Sequence, residues 1–408
     1  MHPSLPIGVI GAGFTGTALA LQLARRGVPV HLIEPHPPGP GLAYATDDPL
    51  HLLNVPAKSM SAFADEPAHF LDWVMRQPPS EFGPLCPTPG PDAFVPRALY
   101  GRYLRELLGA ASGITHHAAA AEDLAPHPQG WTIAPLGLVV RAVALCLGNP
   151  PPRQGETEPG VVNDPWAPGA LDGLDPDAAV AILGTGLTMA DVVLTLRLRL
   201  GHRGVIHAVS RHGWLPLPHG EPLPAPRAAP ALGGSLSAMM RTIRGASAAV
   251  PWQAGVDGFR AQLQPAWRAM DVAQRTRFLR HARTPWNLHR HRLPPLVAAR
   301  LTAEVGAGML QLHAARLAGY ADGALTLRPR GGGAARHVPA QRLFHCTGPD
   351  LGGGLAAQPL VRSLLARGLL RQDALSLGLE VEPDRLEDRK STRLNSSHST
   401  LSRMPSSA

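Results

Sequence analysis

The sequence predicts an α/β protein built twice on one plan, and three observations carry that prediction. An apolar segment beginning at Ile7 runs into a glycine turn and then an alanine- and leucine-rich stretch. The same succession restarts at Ala179, and proline- and glycine-rich connections separate the two occurrences. A chain of 408 residues is long enough for two domains, each burying its own core.

Taken in order, the first unit reads as a strand from Ile7, a turn over residues 11–16, a helix ending near Gly27 and a strand finishing at Ile33. Helical spacing follows over 70–75 and 97–108, then strands over 131–133 and 139–147. Residues 149–176 are crowded with proline and glycine and read as a linker. The second unit comprises a strand over 179–183, a turn over 184–186, a helix over 187–200 and a strand over 205–209. Residues 215–300 show helical periodicity and are expected to form a mostly helical insertion, after which strands resume near Leu325 and over 342–345. From residue 389 the composition turns abruptly to serine, and 389–408 are expected to be disordered and foreign to the fold.

Composition narrows the function classes. Hydrophobic residues make up 44% and charged residues 17%, with no apolar run long enough to span a bilayer. The N-terminus lacks a basic region followed by an apolar one, so no signal peptide is expected. Three widely spaced cysteines, Cys86, Cys146 and Cys346, suggest a reduced cytoplasmic compartment. Of the formal charge of +8, four cations fall in the last twenty positions; removing them leaves 34 basic against 30 acidic residues. With no basic-aromatic stripe, a nucleic-acid partner is not expected.

Two glycine motifs carry the chemistry. In the first, Gly11 permits the tight turn, Gly13 lets backbone amides approach a pyrophosphate and Gly16 lets helix and strand pack closely. Glu34 ends the next strand and is placed to accept from ribose hydroxyls. The second motif keeps Gly184 and Gly186 but has Met189 in the third position. At the end of its following strand stand Ser210 and Arg211 instead of an acid. An acid would repel a 2′-phosphate whereas arginine grips it, so this second site is suited to NADPH.

These motifs, with Gly41-Leu42-Ala43-Tyr44, Leu53-Asn54-Val55-Pro56, Phe94-Val95-Pro96-Arg97, Tyr100-Gly101, Trp286, the run 289–292 and Cys346-Thr347-Gly348, form an ordered set. Through them the chain, from Ile7 to about Asp384, resembles the bacterial FAD/NAD(P)-binding proteins related to the flavin-dependent N-hydroxylating monooxygenases and to flavin-dependent urate hydroxylase. The resemblance implies two Rossmann-type domains: a discontinuous FAD domain (1–165 and 336–388) and an inserted NADPH domain (176–335). It also implies that Gly148 and Thr347-Gly348 lie where the chain crosses between domains beside the FAD, and that Asn54 lies near the flavin ring. Asn54 reads equally well as a turn-former before Val-Pro. Relatives continue past this region into a further strand and glycine turn, which leads to the expectation that the chain is truncated.

The cluster His281, Arg283, His289, Arg290, His291 and Arg292 leaves two readings open. It is either a solvated basic helix face or an anion site for NADPH phosphates or an acidic substrate. Metal binding is not expected, since helical residues two apart point away from each other. No GxSxG elbow and no CxxC pair occur, which argues against a serine hydrolase and a disulfide reductase. The expected function is an FAD-dependent oxidoreductase that takes hydride from NADPH, a monooxygenase acting on a small nucleophilic substrate. A flavin reductase serving a partner and a non-catalytic FAD-binding regulator stand as the other readings.

Overall fold

The computed structural model describes residues 5–150, 152, 158–221, 224–248, 250–350, 353–381, 387–388 and 391–396. The chain opens with β1 (Ile7–Ile10), α1 (Phe14–Arg25) and β2 (Val30–Ile33), as the apolar periodicity predicts. Helix α1 buries Gly16, Thr17, Ala20 and Leu21 on one stripe, and it stops at Gly27, whose φ of +70° accepts the left-handed exit. Helix α2 (Arg97–Ala110) leads to β3 (Ile114–His117). An antiparallel meander of β4 (Asp123–His127), β5 (Gly130–Ala134) and β6 (Leu138–Val140) follows, and β7 (Ala142–Leu145) returns beside β1.

The second domain repeats the plan. Strand β8 (Val161–Val162) precedes β9 (Val180–Leu183), α3 (Leu187–Leu194) and β10 (Ile206–Ser210). The expected helical insertion is present: helices run from Leu236–Ala248 to α4 (Arg283–Arg290), and α5 (Pro295–Gly306) completes the crossover. Then come β11 (Leu310–Ala321), β12 (Ala324–Pro329), β13 (Arg336–Pro339) and β14 (Leu343–His345). Helix α6 (Pro359–Ala366) packs on β4, and β15 (Glu387–Asp388) and β16 (Ser391–Ser396) close the described chain.

The first sheet has the order β15-β16-β7-β1-β2-β3 and the second β13-β12-β11-β10-β9-β14-β8. In each, a leading strand lies between the strand that follows its helix and a returning strand, all parallel. The chain thus reverses direction of winding next to each glycine turn, which is where open α/β sheets bind ligands. One apolar cluster runs without a break from Leu52, Phe70 and Tyr100 in the first domain to Val180, Met189 and Leu194 in the second. The two domains therefore meet through buried apolar surface.

Three expectations need correction. Residues 336–345 belong to the second sheet, not to the FAD domain, because β13 pairs with β12 and β14 with β9; β8 likewise pairs with β14, so 161–162 leave the first domain. The return to the first domain comes after Cys346. The helix expected over 187–200 is α-helical only to Leu194 and continues as a π turn, Thr195–Arg199. Finally, the serine-rich segment expected to be disordered carries a strand over Ser391–Ser396 beside β7. Sheet pairing uses backbone groups that every residue but proline possesses, so a polar composition does not forbid it. Residues 397–408 lie outside the described residues.

Buried and half-buried histidines give the fold an acid-sensitive side. Burial pushes His207, His219 and His291 down to about 4. The unfolded chain takes up these protons near pH 6.5, whereas the folded chain refuses them until pH is far lower. Stability from these groups is complete above about pH 6.5 and falls as pH drops toward 4, each group contributing a slope of about 1.4 kcal/mol per pH unit. Urea unfolding at pH 7, 6 and 5 should show a steady decline. Constant or rising stability across that interval would contradict the assignment.

Candidate cofactor site

The first turn is built around one steric fact. Gly11 has φ of +97°, and a Cβ there would lie 2.2 Å from the Cys146 carbonyl oxygen. A Cβ on Gly16 would lie 1.8 Å from the Gly11 carbonyl oxygen, so helix and turn touch backbone to backbone. Gly13 differs: its φ of −69° suits any residue, and a Cβ there would touch only the Gly41 Cα at 3.6 Å. The space beyond Gly13 is thus open, as a pyrophosphate requires.

Glu34 accepts from the Ala12 N–H at 3.0 Å through one carboxylate oxygen and from the His36 N–H at 3.2 Å through the other. This holds the carboxylate at the mouth of the turn. The Gly39 N–H donates to the Ala12 carbonyl at 2.8 Å, folding the following loop over the glycines. The pair Tyr100-Gly101 finds its reason here, because a Cβ on Gly101 would lie 2.4 Å from the Tyr44 carbonyl oxygen.

The second turn repeats the first. Gly184 has φ of +117°, and its Cβ would lie 2.3 Å from the Cys346 carbonyl oxygen. Around Gly186 nothing lies within 4 Å of an added Cβ. Met189 is fully buried in the apolar cluster, which is how this turn manages without a third glycine. Neither α1 nor α3 carries a side-chain cap or an acid in its first turn. Their leading N–H groups and positive dipole ends remain available to phosphate.

Each returning strand ends in a matching glycine. Gly148 and Gly348 have φ of +67° and +78°, and both have open space where a Cβ would stand. Thr347 is exposed beside Gly348. Asn54 lies between the domains, lining a cleft of about 70 Å³ with Arg97, Leu187 and Asp191, and its carbonyl accepts from His219 Nε2 at 3.0 Å. The Arg97 guanidinium donates to Asp191, joining the start of α2 to α3.

At the end of β10, the Thr185 hydroxyl donates to the Trp214 carbonyl at 2.6 Å, and Ser210 Oγ accepts from the Gly213 N–H at 3.0 Å. Ser210 therefore shapes the loop that carries Arg211. Arg211 is exposed, and His212 stacks on Trp214 with ring centroids 4.4 Å apart. Two further cations converge there. Arg330 contacts His212, and burial together with Arg211 lowers the pKa of Arg283. The sequence offers Arg283 within the basic cluster, for which an anion site for NADPH phosphates is one of the open readings, whereas Arg330 carries no signal, since it follows the end of β12, more than one hundred residues along the chain.

The fold and its two glycine turns define a two-domain dinucleotide-binding protein of the Rossmann type. Residues 8–150 match the model of the FAD-NAD(P)-binding family. The L-aspartate N-monooxygenase (nitrosuccinate-forming) of Streptomyces davaonensis is 28% identical over 199 residues, a match covering 38% of this chain and 27% of that protein. The chain thus spans about a quarter of the length of the curated relative it matches. Among solved structures, the FAD-bound cadaverine monooxygenase DfoA of Erwinia amylovora superposes with a TM-score of 0.63 at 13% identity, over 98% of this chain and 89% of that one. The bacillithiol disulfide reductase of Bacillus cereus superposes with a TM-score of 0.54 at 14% identity, over 97% and 90%. Such low identities speak for the shared fold alone. No described helix is long and apolar enough to cross a membrane.

Proposed function

We propose that the chain is an FAD-dependent oxidoreductase that takes hydride from NADPH and hydroxylates a small amine. The observation that carries this reading is the duplicated turn, in which Gly11 and Gly184 each pass a returning strand's carbonyl while the space beyond Gly13 and Gly186 stays open. FAD belongs to the first turn, with Gly11, Gly13 and Gly16 beneath the pyrophosphate, Glu34 toward the ribose and Gly148 and Gly348 beside the ring. NADPH belongs to the second, with Gly184 and Gly186 beneath its phosphates and Ser210 and Arg211 at the 2′-phosphate.

Flavin, when bound, supplies the hydride acceptor and the reactivity toward oxygen. The protein's part is to align two cofactors across the Asn54 cleft and keep it dry. The overall change balances as amine, O₂, NADPH and a proton giving hydroxylamine, NADP⁺ and water. Supporting this over thiol chemistry, all three cysteines are buried, and burial pushes the Cys86 thiol up to about 11 and Cys346 higher still. A thiolate nucleophile is therefore disfavoured. The test is to mix FAD-loaded protein with NADPH without oxygen and follow loss of the flavin's visible absorbance, then admit oxygen with candidate amines and identify the product. Persistence of the oxidised spectrum would refute the proposal.

Arg211→Ala should weaken NADPH by roughly ten- to hundredfold, the value of one charge-assisted contact, and leave NADH nearly unchanged. Arg283 and Arg330 stand near the same phosphate position, so the residual preference for NADPH should fall further in a double variant with Arg330→Ala. Equal changes in KM for the two cofactors would show that Arg211 does not read the phosphate.

A further inference from the structure

A cavity of about 300 Å³ opens between the Asn54 loop and the helical insertion, next to the interdomain cleft. Its charge is lopsided: Lys58, already paired with Asp92 outside the lining, stands with Arg260, Arg290 and Arg292, and Asp257 is the one carboxylate lining it among the described residues. That carboxylate is already engaged, because buried Arg292 donates to both its oxygens at 2.8 and 2.9 Å, while Arg260 stands 3.6 Å away. Burial and the neighbouring guanidinium of Arg260 lower Arg290 to about 10, as expected where cations outnumber acids. Trp286 also lines the wall; it is 6% exposed, and its buried indole N–H has no hydrogen-bond partner among the described residues. A buried donor of that kind calls for an acceptor. His219 completes the wall; its Nε2–H donates to the Asn54 carbonyl, which leaves Nδ1 of the neutral ring as an acceptor.

We propose that this cavity binds an anionic small molecule, a carboxylate-bearing amine, through Arg260, Arg290 and the Trp286 N–H. The carboxylate would compensate the excess positive charge and satisfy the indole, and an amine would find its acceptor at the His219 end. A cationic diamine meets repulsion on the same wall. The amine part rests on the N-hydroxylation reading above, whereas the anion part rests on the cavity alone. Under this proposal Arg290 belongs to an anion site and not to a solvated basic face, with Arg292 acting as the brace that occupies Asp257.

The test is calorimetric titration of the FAD-loaded protein with L-aspartate, succinate and cadaverine, none of which requires turnover. L-aspartate and succinate should bind, more weakly as salt is raised, and cadaverine should not. Arg260→Gln and Arg290→Gln should each weaken L-aspartate by roughly ten- to hundredfold while leaving NADP⁺ affinity unchanged, and Arg290→Lys should retain part of it. If Arg290→Gln fails to fold, the more exposed Arg260 decides. Binding of cadaverine in preference to the acids, no binding of either acid, or a loss of NADP⁺ affinity in the glutamine variants would overturn the proposal. Binding of L-aspartate without a hydroxylated product would leave this site standing and count against the N-hydroxylation reading instead.

Discussion

Gly13→Val is expected to yield a folded protein that does not hold FAD. The backbone at Gly13 is extended enough for any residue, and the nearest atom to an added Cβ is the Gly41 Cα at 3.6 Å, an ordinary contact. The apoprotein should therefore melt close to the wild type. The valine methyls, however, would fill the space from which backbone N–H groups reach the pyrophosphate. Losing two such charge-assisted bonds is worth about 3 kcal/mol or more, a fall in affinity of at least roughly a hundredfold. Gly11→Val and Gly16→Val make the contrast, because their Cβ atoms would lie 2.2 and 1.8 Å from backbone carbonyl oxygens and the turn itself would have to break. Those variants should be unstable before any cofactor is considered. A purified Gly13→Val protein retaining the flavin spectrum at full stoichiometry would remove the first turn from the FAD site.

The two turns were legible because a glycine forced into positive φ, or pressed against a carbonyl, leaves a mark at a fixed spacing from its strand and helix. Gly11 and Gly184 carry that mark, and the structure gives both the same reason: the carbonyls of Cys146 and Cys346 pass where a side chain would be. The strand ends at Gly148 and Gly348 were reached only through the resemblance, since a lone glycine after an apolar run has many uses. Other parts left no local trace. Strand β11 alternates poorly, with buried Leu310, Ala315 and Tyr320 separated by mostly exposed or half-buried residues, so periodicity did not announce it. Strand β3 reads Ile-Thr-His-His and was likewise passed over. The domain boundary was misplaced by about ten residues because β13, a mostly exposed Arg-His-Val-Pro, owes its state to pairing with β12 and not to its own composition.

The interdomain contact was the least legible, because its members are far apart in sequence and individually unremarkable. Asp48 and His51 come from the loop before Asn54, whereas Thr195 and Arg199 come from the π turn that extends α3. The π turn itself is a local departure from the helical ladder that no residue type signals, although such turns often sit at functional contacts.

Asp48→Ala should destabilise the protein strongly, and it should act on the seam between the domains. Asp48 is 2% exposed; it accepts from the Thr195 hydroxyl at 2.8 Å and the Leu50 N–H at 3.0 Å, and Arg199 lies 3.3 Å away. The proton order is fixed by this acceptor. With Thr195 donating to Asp48, the Thr195 oxygen is free to accept from His51 Nε2 at 2.9 Å, which leaves His51 Nδ1 to accept from the Thr46 hydroxyl at 2.8 Å. His51 is thus neutral, in keeping with the downward shift that burial imposes on it. Alanine removes the acceptor at the head of this chain and strands a hydroxyl and a backbone N–H in a buried seam, at a cost on the order of 3 kcal/mol. Asparagine keeps a carbonyl acceptor for Thr195 and should cost about half as much. Because the seam sets how the second turn faces the first, Asp48→Ala should also slow reduction of bound FAD by NADPH more than it weakens NADPH binding. Thermal melts and stopped-flow reduction of the two variants would measure both effects. A melting temperature unchanged by Asp48→Ala, or equal losses in the alanine and asparagine variants, would show that the Asp48 carboxylate does not hold the domains together.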